Sequence, residues 1–356
     1  MSAQSAQTAS AKLLAIKWQR PHLSILNQLL LPHASEYIDI KTSADGHHAI
    51  VSMQTRGAPA IAIVAALSLA AEVSQQQFDT AQQAYDFIMG KLDYLATSRP
   101  TAVNLFDAIT KLKRAIKISL DSQEDVAVAY VDAAEAMLAT DVADNQSIGL
   151  QRAVDKIKVL THCNTGALAT AGHGTALGII RSLYQKPESI LEHVYFGETR
   201  PYNQGARLTA YELLCEEIPS TLVCDSAVSA LLRSDPTIVA IIVGADRLAI
   251  TAKFHGRAFI VAAPTTSIDL AVASGKGIVI EERDPNEITA ASGFVQTSLE
   301  AGKLVRETLC VAPKGTAAWN PSFDVTPAEL ITAIVTEKGV FVKGQGATEY
   351  DLAASI

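Results

Sequence analysis

The sequence predicts an α/β protein: a mostly helical N-terminal domain over residues 13–150, then a Rossmann-like parallel-sheet domain over 151–356, with residues 1–12 as a loose tail. Three observations carry this expectation. Up to about residue 155 the strongest periodic segments are helical and rich in Ala and Leu. Beyond it, short β-branched runs alternate with helical stretches, the pattern of a parallel sheet covered on both faces. The 356 residues also leave room for about two domains at roughly 150 residues each.

In chain order, the first residues hold no basic region ahead of an apolar stretch and no Arg, which argues against a secretory or transit segment. Leu23 to Leu31, closed by Pro32, and Tyr37 to Ile40 suggest strands. Helices are expected at Pro59–Val73, at Thr101–Ile118 with Thr101 as N-cap, and at Asp125–Ala143. The longest apolar run, Ala58 to Ala71, contains Pro59 and Ser68 and stops at Glu72, short of the roughly 20 residues a membrane span needs. It reads as a buried helix, and no membrane is expected as partner. In the second half, strands are expected at Lys156–His162, His193–Phe196, Ser220–Cys224, Ile238–Val243, Ala258–Ala262 and Gly277–Ile280. Helices between them fall near Thr165–Gln185, Gln204–Glu217 and Ser226–Leu232.

Composition narrows the function. An apolar fraction of 49% with 19% charged residues describes a chain with a large core rather than a disordered one. The net charge of −8, with no basic block, gives no footprint for a phosphate polymer, so nucleic acid is not expected. An anionic ligand must then be held by a few placed groups. The cysteines Cys163, Cys215, Cys224 and Cys310 stand far apart with no C-x-x-C pair, which points to a reducing compartment, the cytoplasm, with the nucleus left open.

Ligands of open parallel sheets sit outside the carboxyl ends of the strands, so the segments that follow each strand hold the candidates. Cys163 ends the first strand ahead of a helix, where a thiolate is stabilised; the plainer reading is a small buried hydrophobe. Cys215, Cys224 and Cys310 read as structural. Asp246 follows the apolar run Val239–Val243, a setting that raises a carboxyl pKa and suits proton transfer; it could equally cap the next helix or pair with Arg247. Asp225 has the same form one strand earlier. Arg56-Gly57-Ala58-Pro59 opens the most apolar helix and forms an anion site unless Arg56 merely meets a surface carboxylate; Arg99 before Pro100 poses the same choice. The glycines of Gly172-His173-Gly174 start too late after their strand for a dinucleotide fingerprint, and close packing explains them better, with His173 packed rather than metal-bound. No metal-binding or serine-hydrolase motif stands out.

Several strings taken together resemble the methylthioribose-1-phosphate isomerase family: Arg56-Gly57-Ala58-Pro59, Ser98-Arg99-Pro100-Thr101, Thr161-His162-Cys163-Asn164-Thr165-Gly166, the run from Glu198 through Gln204 to Ala210, Val243-Gly244-Ala245-Asp246-Arg247, and Trp319-Asn320-Pro321-Ser322-Phe323-Asp324. The resemblance runs in order from about residue 13 to about 342. The wider family includes ribose-1,5-bisphosphate isomerases and non-catalytic regulatory subunits of the translation-initiation guanine-nucleotide exchange factor. Retention of Cys163 and Asp246 favours the catalytic branch. The resemblance implies interconversion of 5-methylthioribose 1-phosphate and 5-methylthioribulose 1-phosphate in methionine salvage, with no metal or organic cofactor and a homodimeric assembly. It implies Asp246 as proton donor and Cys163 as catalytic at the reacting carbons. Arg56, Gly57, Ala58, Arg99 and Gln204 would hold the sugar phosphate.

One departure stands out. In the family, Gly-Ala-Asp-Arg is followed by an Asn-Gly-Asp segment and an Asn-Lys pair that grips the substrate, whereas here Arg247 runs directly into Leu248. The stretch between Ala143 and Lys156 is short as well. Either a substrate clamp has been lost, or residues of a mobile loop are skipped at this point, and the second reading is preferred.

Overall fold

Apolar β-branched runs fit a pleated surface that is buried on both faces, and these runs build the centre of the molecule. The computed structural model describes residues 14–148, 156–185, 189–244, 248–272, 274–344 and 347–352. The chain begins with an antiparallel three-stranded sheet, β1 (Ile16–Gln19), β2 (His22–Leu26) and β3 (Tyr37–Ile40). Helices α1 (Ser43–Val51), α2 (Ala58–Val73), α3 (Ala81–Ala96), α4 (Val103–Asp121) and α5 (Val126–Ile148) follow.

Helix α2 is the axis of this half. It is apolar all round because α1, α3, α4 and α5 all pack against it, and it is buried from Ala60 to Ala71. The Tyr130 hydroxyl of α5 donates to the Ala66 carbonyl of α2 at 3.1 Å, which satisfies a phenol buried in the core. The Thr101 cap expected from the sequence does not form. Helix α4 starts at Val103 with Ala102 at the cap position, and the Thr101 hydroxyl instead donates to Glu281. Helices α1 and α3 were not expected. The apolar stripe of α3 is narrow, with only Ala84, Ile88, Leu92 and Leu95 buried, and Gly90 interrupts its middle.

The second half contains β4 (Ile157–Thr161), α6 (Ala176–Tyr184), β5 (Leu191–Gly197), α7 (Ala210–Cys215), β6 (Ser220–Val223), α8 (Val228–Ser234), β7 (Ile238–Val243), α9 (Ala249–Phe254) and β8 (Ala258–Ala262). After these come a separate antiparallel pair, β9 (Ala290–Phe294) with β10 (Arg306–Cys310), and then β11 (Ala333–Thr336) and β12 (Gly339–Val342). The main sheet is ordered β12-β11-β8-β7-β4-β5-β6, parallel except for the edge strand β12. Counting parallel strands from β4, the order is 3-2-1-4-5-6, that of a doubly wound sheet, with its switch point between β4 and β7. Strand alternation places Val159 and Ile242 in the cluster under α6 and α7, and Leu160, Ile241 and Val243 in the cluster under α8 and α9.

The expected strand at Gly277–Ile280 is a correction. Residues 275–277 form a single 3-10 turn, and Ile278, Val279 and Ile280 are exposed. The free edge of β8 is taken by β11, whose Ala333 and Val335 are buried. An apolar run becomes a strand only where a partner edge is open to it. The expected helix at Thr165–Gln185 is also broken, into a 3-10 turn at Ala167–Ala169 and α6.

Candidate functional site

The site grows from the end of β4, beside the switch point. Cys163 has φ +64, a left-handed backbone that is costly for a residue with a β-carbon and concentrates at functional positions. Two threonines from the segment after β5 pin it. The Cys163 amide donates to Thr199 Oγ1 at 2.9 Å, and the Thr209 hydroxyl donates to the Cys163 carbonyl. Behind this segment, Asp225 accepts the amides of Thr199 and Arg200 at 2.9 and 2.7 Å, so its carboxylate braces the turn. The expected helix start behind the thiol is absent. Glu212 takes the amides of Ala167 and Leu168, and α6 begins only at Ala176. Cys163 is half-buried, while Cys215, Cys224 and Cys310, read from the sequence as structural, are exposed.

Opposite lies the start of α2. Gly57 has φ +101 and carries Arg56 and Ala58 on either side. Arg56 is part-buried with its Nη1 shielded from solvent, and its electrostatic neighbours are Cys163, Tyr202, Arg283 and Arg99. Among the described residues no carboxylate pairs with it. Burial lowers its proton affinity, the nearby Cys163 opposes this, and Arg283 and Arg99 add to it. Three guanidinium groups surround the Tyr202 ring: Arg56 at 5.1 Å from its centroid, Arg207 at 5.3 Å and Arg283 at 5.6 Å. Burial, with Arg56 close by, brings Arg207 down to about 10. Arg283 pairs with Glu287 at 2.9 Å and Arg99 with Glu281 at 3.3 Å. Arg207 spends its donors on the carbonyls of Tyr202 and Gln28.

Among the described residues, Arg56 Nη1, both amide atoms of Asn164, Thr165 Oγ1, Asn203 Oδ1 and Gln204 Oε1 are buried without a hydrogen-bond partner. Buried polar groups in folded proteins are almost always paired, so unpartnered atoms on Arg56 and on the segments that follow β4 and β5 are ones a polar, anionic ligand would satisfy. A local positive field thus sits inside a chain of net charge −8. A cavity of about 260 Å³ between α2, α4 and α5, lined by Pro59, Ile63, Met137 and Thr266 among others, includes none of these atoms.

Of the residues singled out in the sequence, the structure therefore gathers Arg56, Gly57, Ala58, Arg99 and Cys163, with Gln204 two positions beyond Tyr202. Asp246 lies outside the described residues. Strand β7, which ends at Val243, is the neighbour of β4, and a β-carbon on Gly244 would stand 4.0 Å from Thr165 Cγ2. Sequence reasoning did not assign Tyr202, Asn203, Arg207 or Arg283. The first three lie in the quoted run around Gln204, but Arg283 is hidden among carboxylates. Among the described residues no helix is long and apolar enough to cross a membrane.

The chain matches the model of the initiation factor 2 subunit family over residues 54–343. It is 50% identical over 371 positions to a methylthioribose-1-phosphate isomerase of Coccidioides posadasii, covering 94% of this chain and 95% of that one. The crystal structure of 5-methylthioribose 1-phosphate isomerase from Pyrococcus horikoshii superposes with a TM-score of 0.78 at 31% identity, covering 94% of this chain and 93% of that one. That of the translation initiation factor eIF-2B subunit delta from A. fulgidus gives 0.75 at 33%, covering 93% and 96%. The fold alone thus does not separate isomerase from exchange-factor subunit. The 371 aligned positions exceed the 356 residues of the chain, so the relative carries positions with no counterpart here. The connection between Val243 and Ala249, where the sequence departs from the family pattern, lies largely outside the described residues. The chain belongs to the initiation factor 2 subunit family and, within it, to the methylthioribose-1-phosphate isomerases.

Proposed function

We propose that the chain interconverts 5-methylthioribose 1-phosphate and 5-methylthioribulose 1-phosphate. The observation that carries this is Arg56 beside Cys163, its shielded Nη1 unpartnered among the described residues, in a chain half identical to a named isomerase of this reaction. The C1 phosphate locks the sugar as a ring, so an acid must protonate the ring oxygen as the C1–O bond opens. A hydrogen then moves from C2 to C1, and the C2 hydroxyl loses its proton to leave a ketone. Asp246 is the acid in this scheme, and Cys163 acts at C1 and C2. Arg56, the amides of Gly57 and Ala58, Arg99 and Gln204 hold the phosphate and sugar hydroxyls, which orients the reacting carbons.

We further propose a division into a mainly helical domain (residues 13–150) and a Rossmann-like catalytic domain (151–356), and a homodimer. Exposed apolar side chains such as Val279, Leu309, Val311 and Trp319 support a buried protein contact. The likeness to an eIF-2B subunit favours a second reading, a binding subunit without catalysis. Assaying the purified protein with methylthioribose 1-phosphate decides between the two: turnover supports the isomerase, and its absence with the phosphate still bound supports the binding subunit. Preference for ribose 1,5-bisphosphate would move the substrate class. Deuterium at C2 retained at C1 indicates hydride transfer, whereas complete washout indicates an enediolate.

A further inference from the structure

Glu212 is fully buried on α7, behind the site, and touches none of the residues proposed to bind substrate. Its two oxygens are surrounded by donors. The Ala167 amide gives 2.7 Å to Oε2, the Leu168 amide 3.2 Å to Oε1, and Arg181 Nη2 closes on Oε2. Arg181, itself 4% exposed, also donates through Nε to both oxygens of Glu216 at 2.6 Å and through Nη1 to the His173 carbonyl. A buried ion pair adds little stability over an apolar replacement, so its presence here calls for a role in geometry.

That geometry is specific. Gly166 packs directly on the carboxylate, since a β-carbon there would lie 2.3 Å from Glu212 Oε2. The turn of residues 167–169 that Glu212 holds is also the seat of the α2 start, because Gly57 rests against the backbone of Ala169. One carboxylate thus fixes both the segment that follows Cys163 and the support beneath Arg56, Gly57 and Ala58. We propose that Glu212, set by Arg181, is a positioning residue that holds the thiol loop and the phosphate-holding helix start in register with each other.

A glutamine at this position keeps the volume but turns one acceptor into a donor facing the amides or Arg181. The activity side of the test rests on the proposed isomerase reading, so thiol reactivity supplies a second readout that does not. In Glu212→Gln, kcat should fall by about tenfold to a hundredfold, as expected when reacting groups shift by about an ångström. The iodoacetamide alkylation rate of Cys163, resolved by peptide mass spectrometry, should change severalfold while Cys224 and Cys310 keep their wild-type rates. Arg181→Lys should act in the same direction more weakly. Wild-type kcat together with unchanged Cys163 alkylation in either folded variant overturns the proposal. So does a variant in which Cys163 becomes as reactive as the exposed cysteines while its near-ultraviolet circular dichroism is lost, since Glu212 is then a stability residue only. If the wild-type chain has no isomerase activity but Cys163 reactivity still responds selectively, the proposed reaction falls and the positioning role stands.

Discussion

Gly57 rests on Ala169 with no room for a side chain: a β-carbon at residue 57 would stand 2.4 Å from the Ala169 carbonyl oxygen and 2.5 Å from its α-carbon. Steric demand and the φ of +101 both require glycine. Gly57→Ala should therefore cost about 1–3 kcal/mol of stability through backbone strain and displace Arg56 and Ala58. Urea unfolding together with KM checks this. A variant with wild-type stability and KM would show that the contact does not hold the site.

Arg56 is a part-buried cation whose shielded Nη1 has no acceptor among the described residues. Arg56→Met should raise KM enough to lower kcat/KM by about tenfold to a hundredfold, the worth of one or two charge-assisted hydrogen bonds. The unliganded variant should be close to wild type in stability, since a shielded N–H without an acceptor is removed together with the contact to the Tyr202 ring. Thermal unfolding with inorganic phosphate is the check: phosphate should raise the wild-type midpoint and leave the variant unmoved.

Cys163→Ser and Asp246→Asn should each lower kcat by about 10²–10⁴-fold, the usual range for losing a proton-transferring or reacting group, with circular dichroism unchanged. Near-normal turnover in either variant would remove that residue from the mechanism.

The parallel strands after residue 155 were legible because each is a short apolar run between turn residues, and β7 and β8 match their expected bounds. The sixth parallel strand was misplaced because Gly277–Ile280 looks more like a strand than Ala333–Thr336 does. Which run is used depends on the open edge of β8, a tertiary fact. Within the site, Arg56 and Arg99 showed themselves by standing before helix starts, and Cys163 by ending a strand. Tyr202 and Arg283 did not, since their meeting joins segments about eighty residues apart and leaves no periodicity in the sequence. Glu212 was invisible for another reason: a carboxylate on a short amphipathic helix reads as solvated until α6 closes over it.

Asp235 should carry acid sensitivity without touching catalysis. Hydrogen bonds from Thr237 and Lys158 hold its carboxyl down at about 2, with Lys158 Nζ at 3.0 Å. A depressed folded-state pKa contributes stability that is complete above the unfolded value of about 3.9 and is lost as the pH falls from there toward 2. Asp235→Asn should thus be less stable than wild type near pH 6, and the gap between the two urea midpoints should close between about pH 4 and 2. Residue 235 precedes β7 and Lys158 lies near the start of β4, so the pair sits at the sheet edge opposite Cys163. The kcat of Asp235→Asn at neutral pH should therefore equal that of wild type. A gap that stays constant down to pH 2 would show that the ion pair does not couple to folding, and a fall in kcat would show that the far edge of the sheet reaches the site.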